Sequence, residues 1–178
     1  MGRLAPLFRA KRENRRVLKR QGDVTDHPYQ PGAEVTSALD VTAEYVAALA
    51  ARDSAQMRTL RSPQFELDFV HGDASDASPL SEEDTMQFWS AWFVAFPELD
   101  YEVTRTIAAE TVVVTQWTFT GTNSGPLPPL GVEGQAAAPG KTIRLRGVSI
   151  YDISEGLIQH ETAYIDLATL VVELGVEL

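Results

Sequence analysis

The chain has 178 residues, 44% apolar and 22% charged, which is enough for one globular domain with a buried core and an appendage. It has no cysteine, which excludes disulfides and thiolate chemistry and fits a reducing, cytoplasmic setting, and it has no apolar run long enough to cross a membrane as a helix. The net charge of −10 is uneven: residues 1–20 hold eight Lys or Arg and one acid, leaving residues 21–178 at −17, which argues against a body that grips nucleic acid.

Residues 1–20 read as a solvated basic arm. Docking to an acidic partner, contact with a membrane surface and an organellar transit peptide are the alternatives. Residues 21–36, with Pro28, Pro31 and Gly32, read as a linker. The expected division is therefore an arm and linker over 1–35 and one domain over 36–178.

The domain opens with a helix over about Ser37 to Ala51, with Leu39, Ala43, Val46 and Leu49 on one face, and a shorter helix follows the Asp53 cap. Gln64 to His71 alternates as a half-buried strand with Phe65, Leu67, Phe69 and His71 on its apolar side. His71 is thus a candidate pocket residue or a satisfied histidine at a strand end. After an Asp/Ser/Gly-rich loop, Ser81-Glu82-Glu83-Asp84 reads as a capped helix start, and Pro97 ends that helix. Met86, Trp89, Phe93 and Phe96 are expected on its buried side, with Trp89 a candidate to roof a pocket for a flat ligand.

Two strands follow, Tyr101 to Ala108 and Thr111 to Thr120, the second placing Val113, Thr115, Trp117 and Phe119 on one side. Trp117 is either core or a surface on which a ligand stacks. Residues 121–140, with five glycines and four prolines, read as a lid or interface loop. Thr142 to Ile153 and Leu157 to Ile165 then form a hairpin about Glu155 and Gly156.

A two-residue turn pairs Ile153 with Ile158, Tyr151 with His160, Ser149 with Thr162, Gly147 with Tyr164 and Leu145 with Asp166. That register puts His160, Thr162, Tyr164 and Asp166 on the inner face with Tyr151, and Gln159 and Glu161 on the outer. An inner face mixing hydroxyls, an imidazole and a carboxylate reads as a pocket wall. Asp166 also stands where a residue would cap a last helix over Leu167 to Leu174. The three histidines, His27, His71 and His160, are too scattered for a local metal motif, so neither metal nor cofactor is expected.

The order of helices, strand, aromatic helix and long antiparallel strands predicts an α+β cone: a curved sheet wrapped around helices. G-V-x-I-Y (from Gly147), E-G-L-I (from Glu155), Y-x-D-x-A-x-L (from Tyr164) and a terminal L-G-V resemble the end of the SnoaL-like polyketide cyclases. Phe96 to Val103, Val112 to Pro126 and Pro139 to Val148 resemble that family's middle, so the likeness spans about 38–176. Asn123, Thr162 and the order His160-Glu161 depart from the family's usual His, Trp and Glu-His.

The resemblance implies cofactor-free proton transfer beside a carbonyl, followed by intramolecular aldol closure. In that reading Asp166 is the general acid/base and His160 or Tyr164 hydrogen-bonds the enolate. Asn123, Trp117, Tyr151, Trp89 and His71 hold a hydrophobic substrate. The alternatives are a cone that binds a hydrophobic ligand or a protein partner without turnover, and an isomerase, dehydratase or hydrolase on the same scaffold. Cones of this kind pair through their sheets, so a homodimer is expected.

Overall fold

The computed structural model describes residues 36–70, 79–126 and 140–174. The expectations for the basic arm, for His71 and for most of the 121–140 loop lie outside the described residues.

The described residues form four helices and six strands in an α+β domain. Helix α1 (Ala38–Ala50) starts at a capping box in which Ser37 accepts from the Asp40 amide and the Asp40 carboxylate accepts from that of Ser37. Helix α2 (Ser54–Thr59) is capped by Asp53, and α3 (Glu82–Ala95) by Ser81, with three acids in its first turn where the helix dipole favours them. Each cap contributes about 1 kcal/mol. The last helix is α4 (Leu167–Leu174). Among the described residues no helix is long and apolar enough to cross a membrane.

The strands are β1 (Arg61–Val70), β2 (Leu80–Ser81), β3 (Leu99–Ala108), β4 (Val112–Thr122), β5 (Thr142–Ser154) and β6 (Leu157–Ile165). They make one sheet in the order β2-β1-β6-β5-β4-β3. Among the described strands only the β1–β6 pair is parallel. Helix α1 packs across β3 to β6 and α3 packs on β1, so the core lies between the helices and one face of the sheet. Phe65 and Leu67 of β1, Val113 and Phe119 of β4 and Tyr151 of β5 are buried there. Each large apolar side chain contributes about 1.5–3 kcal/mol by leaving water.

Two helix faces differ from expectation. The buried stripe of α1 is Ala38, Val41, Thr42, Tyr45, Ala48 and Leu49, centred on Tyr45, while Leu39 is exposed. In α3 the buried side is Thr85, Phe88, Trp89, Trp92 and Ala95, with Met86 and Phe93 half-buried. Both helices have apolar residues on more than one side, so hydrophobic spacing alone does not choose the stripe.

The β5–β6 hairpin brings the main correction. Its turn is as expected: Glu155 and Gly156 both have positive φ, 55° and 74°, as a tight turn of this hand requires, and Ser154 and Ile153 pair with Leu157 and Ile158. Beyond Ile158 the register shifts by one. Asp152 faces His160, Tyr151 faces Glu161, Ile150 faces Thr162, Ser149 faces Ala163 and Gly147 faces Ile165. Gln159 is the extra residue of the bulge, and its side-chain amide donates to Ser154 O (2.9 Å) and Leu157 O (3.2 Å). Every β6 side chain past the bulge therefore changes face. The charged row this creates, Asp152 beside His160, lies on the outer face, where Asp152 is exposed and His160 half-buried, so that desolvation costs little.

Candidate active site

Between α1, α3 and the inner face of the sheet lies a partly open cavity of about 50 Å³. That is room for a few ordered waters as it stands. Phe88, Trp89 and Trp92 of α3, Tyr101 of β3, Trp117 and Phe119 of β4 and Leu145 of β5 give it an almost wholly apolar wall, with Ser149, Glu161, Ala163 and Ile165 at its sheet side. Tyr101 and Trp117 stack with ring centres 5.3 Å apart, and the Trp117 indole N–H donates to Ser149 Oγ at 3.1 Å. Gly147 makes room for that indole, because a Cβ there would sit 2.3 Å from the Trp117 ring and 2.5 Å from the Tyr164 carbonyl oxygen.

Among the described residues the one carboxylate in this wall is Glu161, 3% exposed. Tyr45 Oη donates to its Oε2 at 3.2 Å. Burial drives the Glu161 pKa up; Ser149, Tyr45, Arg61 and Tyr151 pull it part of the way back, leaving it at about 7. Burial likewise holds the phenols of Tyr45, Tyr101 and Tyr151 well above their ordinary value, so all three are hydrogen-bond donors at neutral pH. Among the described residues Tyr151 Oη is buried without a hydrogen-bond partner. Glu161, Ser149 and Thr115 lie near enough to bear on its titration, yet among the described residues none meets it within standard hydrogen-bond geometry.

The residues singled out from the sequence are divided by this arrangement. Trp117 and Trp89 line the cavity, and Tyr151 is buried directly opposite Glu161 in the register. Asn123 is buried but lines no part of the cavity. Its amide donates to Gly125 O at 2.9 Å, and its backbone joins Lys141 and Gly140.

The bulge moves His160 and Tyr164 to the outer face, correcting their expected place on the pocket wall. His160 Nδ1 is 3.8 Å from Glu66 and Tyr164 is 48% exposed. Asp166 leaves the expected pocket wall too and takes its other expected place: it lies past the end of β6, half-buried, as the cap of α4. Its oxygens accept from the Thr169 amide (3.1 Å) and the Thr169 hydroxyl (2.8 Å), and those two bonds hold its pKa below the usual value. Asp166 and His160 thus share no cavity.

Glu161, Tyr45, Arg61 and Tyr101 were not marked by the sequence as site residues. A signal for Glu161 does exist: apolar parity in β6 switches between Ile158 and the pair Ala163 and Ile165, which is what a one-residue bulge produces. The small polar cluster holds no side chains with the clustering a metal requires, and among the described residues no group of three or more His, Cys, Asp or Glu comes together to hold one.

Known folds agree with this architecture. A protein assigned as a SnoaL-like polyketide cyclase from Jannaschia sp. CCS1 superposes with a TM-score of 0.65 at 20% identity, covering 82% of this chain and 97% of its own. AclR from Streptomyces galilaeus, assigned as a hydroxylase, gives 0.64 at 23% identity, covering 78% and 84%. IdmH from Streptomyces antibioticus, assigned as a polyketide cyclase, gives 0.62 at 20% identity, covering 78% and 98%. At these identities the likeness is one of fold. No curated protein matches the sequence. The family model for SnoaL-like polyketide cyclases matches residues 40–174, from within α1 to the end of α4, and the chain therefore belongs to the SnoaL-like polyketide cyclase family.

Proposed function

We propose that the protein catalyses proton transfer next to the carbonyl of a small, flat, uncharged molecule, with Glu161 as the general acid/base. The observation that carries this is a buried carboxyl at the side of an aromatic cavity, its pKa pushed up to about 7 by burial. A group poised there is substantially ionised at neutral pH, and it returns the proton as readily as it takes it. The carboxylate removes a proton from the carbon beside the carbonyl, and the C–H electron pair becomes the enolate double bond. In a cyclase reaction the enolate carbon attacks a second carbonyl in the same molecule and forms a C–C bond. The resulting alkoxide takes the proton back from Glu161. Atoms and electrons balance without a co-reactant.

The apolar wall supports uncharged ligands, since an anion there would meet Glu161 and no free cation among the lining residues. The almost wholly apolar wall fits one alternative as well, a cone that holds a hydrophobic ligand without turnover. A homodimer through the outer sheet face belongs to this proposal. Val114, Val148 and Ile150 are half-buried there and Tyr164 is exposed.

All three tryptophans line the cavity, so binding is read from their fluorescence. 2-Indanone should quench it saturably at pH 8 and indane-2-carboxylate should not. Equal quenching by both, or none by the ketone, would refute the cavity's assignment to neutral carbonyl ligands.

A further inference from the structure

Glu161 receives one hydrogen bond of standard geometry among the described residues, and the donor belongs to a helix: Tyr45 Oη of α1, 3.2 Å from Oε2. Tyr45 is completely buried. A Phe would fill the same core position, so the hydroxyl is there for its partner. The Tyr45 ring meets Tyr151 edge-on at 5.8 Å, and the Arg61 guanidinium carbon stands 5.9 Å from its centre.

Arg61 is in turn fixed, with its side chain at 0% exposure. Its Nε lies 3.2 Å from Glu82 Oε2, its Nη2 donates to Met86 Sδ at 2.9 Å, and its guanidinium carbon is 4.9 Å from the centre of the Phe65 ring. No hydrogen bond or ion pair joins it to Glu161 among the described residues. Its charge reaches the carboxyl only through space, across the tyrosine it holds.

These contacts make the two carboxyl oxygens unequal. We propose that Tyr45 is a positioning residue whose hydroxyl ties Oε2 of Glu161 back toward α1, so that Oε1 is the oxygen presented to the cavity, while Arg61 holds the tyrosine ring in place. The proposal rests on Glu161 being the working carboxyl. Its test needs no substrate, so the two can fail separately. The titratable and charged groups that face Glu161 are Tyr45 from α1, Arg61 from β1, Tyr101 from β3 and Tyr151 from β5, with the Ser149 hydroxyl beside them. His160 is next to it in sequence but points to the other face of the sheet.

The test is a titration of Glu161 by carbon NMR in protein labelled at the glutamate side-chain carboxyl, its resonance assigned as the one missing from Glu161→Gln. In Tyr45→Phe the donor is gone and the charged form loses its bond, so the Glu161 midpoint should rise by about one pH unit. Replacing Tyr45 with 3-fluorotyrosine keeps the ring and makes the hydroxyl a stronger donor, so the midpoint should fall. This second variant stands as the test if Tyr45→Phe does not fold. Opposite shifts support the proposal. A midpoint unmoved in either variant, or two shifts of the same sign, would overturn it.

Discussion

Glu161→Gln should flatten the pH dependence of stability between pH 5 and pH 8. In the folded protein this carboxyl titrates at about 7, against an ordinary value of 4.5. The native state therefore holds the proton more tightly than the unfolded chain, which binds fewer protons throughout that window. Stability falls as pH rises. The contribution is complete below pH 4.5 and is lost as pH rises through 7. Integrated from pH 5 to pH 8, it amounts to about 2–3 kcal/mol, or roughly 5–10 °C in Tm for a domain of this size. Gln keeps the shape and has no proton to lose. Urea unfolding of both proteins at pH 5, 6, 7 and 8 isolates the effect, because every other titrating group is common to the two. The difference in unfolding free energy, wild type minus variant, should fall by about 2–3 kcal/mol across the series. A difference that stays constant, or rises with pH, would refute the placement of Glu161 in a desolvated wall.

Other substitutions probe the parts around it. Gly147→Ala drives a methyl against the Trp117 ring and the Tyr164 carbonyl oxygen, which as backbone cannot swing away. It should cost about 1–3 kcal/mol and shift the tryptophan emission as the indole leaves Ser149; an unchanged melt and spectrum would show that the close approach is not real. Asp166→Ala removes the α4 cap, so Tm should drop by a few degrees while affinity for 2-indanone stays within about twofold; a large loss of affinity would return Asp166 to the site. On the outer face Ile150→Glu should convert a dimer to a monomer in sedimentation velocity, and a wild-type monomer would refute the proposed pairing.

The element order was legible because its signals are local. Ser37, Asp53 and Ser81 announce helix starts by hydrogen-bonding chemistry, Glu155-Gly156 announces a turn, and alternation along β4 identifies Val113, Thr115, Trp117 and Phe119 as inward. The inner face of β5 followed from the turn in the same way. What failed was propagation: one bulged residue, Gln159, reverses every later assignment on β6, exchanging Glu161 for His160 and bringing Ala163 and Ile165 inward.

The partners of Glu161 were hidden for a different reason. Tyr45 is 116 positions away in the chain and Arg61 is 100, so only the packing of α1 and β1 against β6 brings them near. Arg61 gave no local sign of burial, since a cation is buried only where long-range partners such as Glu82 and the rings of Tyr45 and Phe65 receive it.

The measurement that bears most directly on the central claim is deuterium exchange from solvent into 2-indanone, followed by proton NMR with wild type, Glu161→Gln and Asp166→Asn. Wild type and Asp166→Asn should accelerate exchange over buffer to a similar extent, and Glu161→Gln should lose at least about a hundredfold of that acceleration. No acceleration by wild type, exchange retained in Glu161→Gln, or exchange lost in Asp166→Asn would contradict the assignment of the proton-transfer step to Glu161.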